Sequence, residues 1–167
     1  TLAFAAGTAL TLEPMALANG EVVLDGAGGG HPLLALEEGA TVRLISVRVQ
    51  NFGAGAIRAR GRSVLAMERV TLVQNTILND RRRLLAEDDY SSCGGALRLA
   101  DHARADLSEC VLTQNAATLG GAICAVNSST LTIDNASLVT ANMATRGGAV
   151  FASYDSYIQI RGGSNVS

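Results

Sequence analysis

Apolar side chains recur along this chain in pairs set two residues apart, and each pair is followed by another eight residues on. From Leu97 the positions are Leu99, Ala105 and Leu107. The same offsets from Ile123 give Ala125, Leu131 and Ile133, and from Val150 they give Ala152, Ile158 and Ile160. Towards the N-terminus, Ile57 leads to Ala59, Leu65 and Met67, Leu34 to Leu36, Val42 and Leu44, and Leu2 to Phe4, Leu10 and Leu12. The residues between are mostly polar, small or charged: Arg58, Arg98 and Cys124 in one lane, Arg43, Asp106, Thr132 and Gln159 in another. Alternation with a period of two predicts short strands with one buried face. A third strand per repeat is expected near Val47 and Val49, Val70 and Leu72, Cys110 and Leu112, and Ala136 and Leu138. Outside 76–93 no segment keeps a helical period.

A repeat of about 25 residues decides the architecture. Strands that align with themselves once per repeat must pair in parallel, in register, with the repeats above and below. Each coil then adds about 4.8 Å along an axis. The expected fold is all-β, a right-handed single-stranded parallel β-helix (β-solenoid) of about six coils, forming one module over 1–167. Gly-Gly-Ala precedes three of the coils, at Gly94, Gly120 and Gly147, where a tight corner needs positive φ and close backbone approach. Asn51, Asn75, Asn115 and Asn142 fall at the preceding corner, and stacked on one another they would form an internal turn ladder.

Two stretches depart from the repeat. In the first coil, Glu21-Val22-Val23-Leu24-Asp25-Gly26 reads as an extra strand and turn, followed by Gly28-Gly29-Gly30. No Lys-Ser or Lys-Thr and no helix follows those glycines, so a flexible corner is expected there and not a phosphate loop. The second is an inserted loop at about 76–93, carrying Arg81-Arg82-Arg83 and then Glu87-Asp88-Asp89. Long loops concentrate contacts and processing, which makes Arg81, Arg82 and Arg83 a candidate contact or cleavage site. A start at Thr1 and a stop at Ser167, with no capping sequence at either end, is read as a piece of a longer chain.

Composition narrows the partners. Net charge is −2 and Trp is absent, which argues against nucleic acid. No apolar run reaches the length of a membrane span. Cys93, Cys110 and Cys124 lack metal-ligand spacing, and His31 and His102 sit far from any Cys pair. Free or externally paired thiols are expected, with no metal and no cofactor.

The Gly-Gly-Ala-aliphatic element at Gly94 to Leu97, Gly120 to Ile123 and Gly147 to Val150 is accompanied by Leu72-Val73-Gln74-Asn75, Leu112-Thr113-Gln114-Asn115 and Val139-Thr140-Ala141-Asn142. Together they resemble the parallel β-helix repeats of the pectin-lyase-like superfamily, and more narrowly those of the polymorphic outer-membrane-protein type. The second element there opens on an aromatic residue; here an aliphatic one takes its place. The resemblance covers nearly the whole chain and implies the solenoid. It implies function less directly, because the same solenoid serves adhesins, structural rods and polysaccharide enzymes.

Chemistry on the outward lanes separates these. Glycoside hydrolysis needs two carboxyl groups about 5 to 10 Å apart on one face. In register, Asp106 stands between Ala66 and Thr132, Glu109 between Arg69 and Asn135, Asp134 between Ser108 and Arg161, and Asp101 between Gly61 and Asn127. No lane stacks two acids, so no catalytic residue is assigned. Arg58, Arg60 and Arg62 alternate, with Arg98 above Arg58, and form a candidate contact face for carboxylate or sulfate groups. Asn127, Asn135 and Asn165 open Asn-x-Ser sequons, candidate N-glycosylation sites. The expectation is a non-enzymatic extracellular or cell-surface module, structural or adhesive, contacting other proteins of an extracellular assembly or a surface polysaccharide. The alternative is a polysaccharide lyase or glycoside hydrolase of the same superfamily.

Overall fold

The computed structural model describes residues 1–14, 22–77 and 92–167. Three six-stranded sheets run the length of the molecule, and the chain visits them in turn. The first holds Leu2–Phe4, Leu34–Leu36, Ile57–Ala59, Leu97–Leu99, Ile123–Ala125 and Val150–Ala152. The second holds Ala9–Leu12, Thr41–Ile45, Val64–Glu68, Arg104–Ser108, Thr130–Asp134 and Tyr157–Ile160. The third holds Val22–Asp25, Val47–Gln50, Thr71–Val73, Val111–Thr113, Leu138–Thr140 and Asn165–Val166. A short fourth sheet pairs Ala116–Leu119 with Met143–Arg146. Every strand pairing in these sheets is parallel, and no helical segment longer than a single turn occurs among the described residues. The protein is all-β, built from stacked parallel strands in an arrangement compatible with a β-solenoid.

The register follows the apolar offsets. Leu34, Ile57, Leu97 and Ile123 stand in one column, and Leu44, Met67, Leu107 and Ile133 in another, each at most 2 % exposed. Each large side chain so removed from water contributes roughly 1.5–3 kcal/mol. A single continuous core results, running up the inside of the stack. At its two ends the column residues are only half covered, Phe4 and Leu10 at one, Ile158 and Val166 at the other.

The glycine pairs mark places where two coils touch through backbone. Gly120 has φ 58°, and a Cβ there would run into the carbonyl of Ile123. A Cβ on Gly121 would strike the carbonyl of Gly148 in the next coil. The corner between second and third strands is tighter still. One residue turns it in three coils, with Ser46, Arg69 and Glu109 at φ 51°, 52° and 54°. In the following coil two residues do, Asn135 and Ala136, at φ 52° and 58°.

That extra residue corrects the expected third strand. Ala136 and Leu138 do not face the core; both are exposed, and Ser137 and Val139 take the inward places opposite Cys110 and Leu112. Ser137 is tolerated inside because its hydroxyl donates to the Asp134 carbonyl at 2.6 Å and accepts from the Cys110 amide at 3.0 Å. The first coil is also more regular than expected. Val22–Asp25 is no additional strand but its ordinary third one, paired with Val47–Gln50.

The corner asparagines form a ladder of three. Asn115 Oδ1 accepts from the backbone N–H of Asn75 at 3.0 Å and from its side-chain Nδ2 at 3.1 Å. Asn142 Oδ1 accepts in the same way from Asn115, and Asn115 Nδ2 also donates to the Leu72 carbonyl at 3.0 Å. Asn51 stands outside this ladder. Its neighbour Phe52 fills the equivalent place, donating its amide to Asn75 Oδ1 at 3.1 Å. Asn51, at φ 59°, occupies the left-handed position held above it by Gln74 and Gln114, and its amide meets Asp25.

The cysteines depart from expectation as well. Cys93 and Cys124 are joined, with Cα atoms 5.5 Å apart, in the range a disulfide requires. Cys124 does point away from the main core, but a second apolar cluster covers it, formed with Ala100, Leu119 and Val126 and flanked by Phe151. The bond thus ties the corner before Gly94 to the outer face of the first sheet. Cys110 is the free thiol, buried in the core, where loss of hydration pushes its pKa up to about 11.

Three outcomes follow from this packing. Asn115→Ala removes the acceptor shared by the Asn75 amide and side chain in the buried corner, and should cost about 2–4 kcal/mol in chemical denaturation, against under about 1 kcal/mol for Asn51→Ala. In thiol titration the folded protein should expose no reactive cysteine, the denatured unreduced protein one, and the reduced denatured protein three. Cys124→Ala should cost about 3–4 kcal/mol through lost loop closure.

Candidate functional site

The first sheet carries the candidate arginine face. Arg58 and Arg98 project outward from adjacent strands in direct register. Beside them lies a groove of about 340 Å³ lined by Pro32, Ala35, Leu36, Ala59 and Ala100 together with Arg60, Glu37 and Asp101. Arg58 Nη2 donates to the Ala54 carbonyl at 2.9 Å, while its Nε is buried without a hydrogen-bond partner among the described residues. Arg60 lies just past the strand end and is ion-paired with Glu37. Asp101 accepts from Asn127 Nδ2 at 2.9 Å.

Arg62 does not join this face. The strand stops at Ala59, and the chain turns through Gly61 and Arg62 at φ 62° and 59°, which takes Arg62 out of the alternation and off the groove. The structure thus brings together Arg58, Arg60 and Arg98 and leaves Arg62 at the corner.

A second group of charges, missed by comparing residues lane by lane, lies on the outer face of the second sheet. Glu68, Asp106 and Asp134 line one shallow depression with Arg43, Arg104 and Arg161. None of the acids stacks directly on another. Asp106 stands opposite Ala66 and Thr132, two residues short of Glu68 and Asp134, so they are diagonal neighbours, roughly 8 Å apart by strand geometry. Alternate spacing on three consecutive second strands was the available signal, legible only when diagonals are read with lanes.

Each of these carboxylates is occupied by a guanidinium. Arg43 donates to Glu68 at 2.8 Å, with Arg69 on its other oxygen, and the two arginines hold its carboxyl below the usual range. Asp134 is held low first by the Asn135 backbone N–H at 2.7 Å and also by Arg161 at 2.6 Å. Arg104 grips Asp106 through two nitrogens, at 2.8 and 3.0 Å. On the third sheet Asp25 is lowered by Gln50, the Ala27 amide and Asn51. Glu68, Asp134 and Asp25 are acceptors held ionised, the opposite of a carboxyl kept protonated as a general acid.

The remaining candidates are dispersed. Asn127 and Asn135 are exposed at corners, with Nδ2 groups bonded to Asp101 and Ser108, and Asn165 is exposed on the final strand. The hydroxyl residues of the first two sequons, Ser129 and Ser137, are buried. The inserted loop begins later than expected, since Thr76 bridges to Ala116 and Cys93 to Leu119. Arg81, Arg82 and Arg83 lie outside the described residues. Among the described residues no three His, Cys, Asp or Glu side chains are gathered as a metal site would need, and no helix is long and apolar enough to cross a membrane.

Compared with known proteins, the chain matches no family model, no curated protein and no solved structure.

The lowered carboxylates set an acid limb for stability. Folded pKa values below the unfolded 3.8 and 4.5 give a contribution that is complete above those values and lost as pH falls through the folded ones. The melting temperature should therefore be flat from about pH 7 to pH 5 and fall below about pH 4. Glu68→Gln should make that acid limb shallower, checked by thermal melts across the pH series.

Proposed function

We propose that this chain is a right-handed single-stranded parallel β-helix module of the pectin-lyase-like superfamily, with repeats nearest the polymorphic outer-membrane-protein type. We propose that it serves outside the cell or on its surface as a non-enzymatic structural or adhesive element contacting proteins or glycans. Right-handedness is supported by the strong preference of crossovers between parallel strands for that hand. The repeat elements support the family, with three of the four corner asparagines stacked as a ladder, Asn75 and Asn115 of them buried.

The observation that carries the non-enzymatic reading is the state of the outward acids. Glu37, Glu68, Asp106 and Asp134 are each tied to arginine, and Glu68 and Asp134 are held below their ordinary pKa. A general acid for glycoside cleavage needs its pKa raised. Such a surface of satisfied ion pairs suits a contact face, where charge gives specificity more than affinity. The Cys93–Cys124 link and the three sequons fit an oxidising, extracellular setting.

The test mixes the protein with a panel of acidic and neutral polysaccharides and scores both cleavage and retention on immobilised glycan. Retention, or neither signal together with capture by a surface protein, is the expected outcome. New reducing or unsaturated ends would overturn the reading in favour of a lyase or hydrolase.

A further inference from the structure

Resting on the extracellular reading above, we propose that Asn127 is an N-glycosylation site whose first sugar, an N-acetylglucosamine, packs against Tyr154. Asn127 opens the sequon Asn127-Ser128-Ser129 and is exposed at the corner between the first and second sheets. Tyr154 holds the same corner one coil further on, where its carbonyl accepts from the Ser128 amide at 2.7 Å. It is an aromatic residue left 51 % exposed. A sugar on Asn127 therefore has apolar ring surface beside it.

The direction of the side chains supports the contact. Asp101, Asn127 and Tyr154 follow one another along this corner at φ 56°, 54° and 52°, all three exposed. Neighbours in the column reach each other, since Asn127 Nδ2 donates to Asp101 Oδ1 at 2.9 Å. Tyr154 stands on the other side of Asn127 in the same column. Coils lie about 4.8 Å apart, within the range of about 4.5–7 Å between centres at which aromatic rings pack. A pyranose extending outward from Nδ2 lies alongside Tyr154 and removes apolar ring surface from water. Tyr154 has contacts of its own, and the sugar adds to them through the half of its surface that is exposed.

The other two sequons lack such a neighbour. Asn135 sits at φ 52° on the corner between the second and third sheets, but Gly162 takes the corresponding place there, accepting from the Ala136 amide at 2.7 Å. Asn165 has Leu138 opposite it in register. Linkage joins Asn127 Nδ2 to C1 of the N-acetylglucosamine at the head of a lipid pyrophosphate-linked oligosaccharide, the donor of the secretory lumen. The C1–O bond to the pyrophosphate breaks, the lipid pyrophosphate leaves, and Nδ2 gives up one proton. One N–H remains, enough to keep the bond to Asp101. Transfer takes place on the entering chain before the corner forms. The Ser129 hydroxyl, which in the fold is buried and donates to the Val126 carbonyl at 2.6 Å, is therefore no obstacle.

The experiment compares the full chain with and without the sugar. One form is secreted from a eukaryotic cell line restricted to high-mannose glycans and trimmed by an endoglycosidase to a single N-acetylglucosamine. The other comes from a bacterial periplasm, where the disulfide forms and no glycan is added. Both carry Asn135→Gln and Asn165→Gln, so that Asn127 alone is open to linkage. Peptide mass mapping reads occupancy, and circular dichroism confirms that each form is folded. Asn127 should be occupied, and the single sugar should raise the melting temperature by about 2–4 °C over the bare form. Tyr154→Ala should abolish that gain at unchanged occupancy, and Tyr154→Phe, which keeps the ring, should retain it. An unoccupied Asn127 in the secreted protein overturns the site. Equal melting of the two forms overturns the packing, as does a gain that survives Tyr154→Ala or is lost in Tyr154→Phe. Failure of the extracellular reading shows separately, as recovery of the native protein from the cell interior, which leaves the melting comparison untouched.

Discussion

Backbone hydrogen bonding between coils, parallel and in register, is the constraint on which the rest of this molecule depends. It makes each residue the neighbour of its counterpart one coil away, so that a position is defined by a column as well as by its place in the chain. Inside, the columns become a core in which Leu107 rests on Met67 beneath Ile133. At the corners the same rule turns one asparagine into a ladder. An Asn side chain must satisfy two donors and an acceptor away from water, and here the amide one coil away accepts from one donor while a backbone carbonyl accepts from the other.

The corners carry the cost of that regularity. Turning between second and third strands within one or two residues forces Arg69, Glu109 and Asn135 into left-handed backbone, a conformation that glycine or asparagine adopts more readily than the others. At the Gly-Gly corners the requirement is different, since consecutive coils touch through backbone and any Cβ at Gly121 would meet a carbonyl. Where a corner gains a residue, the strand beyond it shifts its inward face by one position. Ser137 and Val139 therefore face inward in the place of Ala136 and Leu138.

On the outside, columns place like charges together unless the sequence offsets them. The second sheet does so by staggering: Asp106 is diagonal to Glu68 and Asp134, which are separated in their own lane by Ser108, and each of the three acids is paired with an arginine. The first sheet does not, and Arg58 stands on Arg98. A surface cluster alone would say little, because exposed pairs contribute little to stability.

Periodicity by itself determined the all-β class, the six coils and their core columns, because two-residue alternation and a repeat of about 25 residues admit no other pairing than parallel and in register. It placed Arg98 over Arg58 and Asn142 over Asn115 for the same reason. Tertiary structure alone decided what depends on turn length and on distance across coils. The exclusion of Asn51 from the ladder is one case, since Phe52 stands in its place. The loss of Arg62 to a corner is another, because the strand ends at Ala59. The union of Cys93 with Cys124 is the third: a corner residue and an outward strand residue meet in the outer apolar cluster they share with Leu119, to which Cys93 bridges. Pattern records which face a side chain takes, but proximity between unlike columns is set by how many residues each corner consumes.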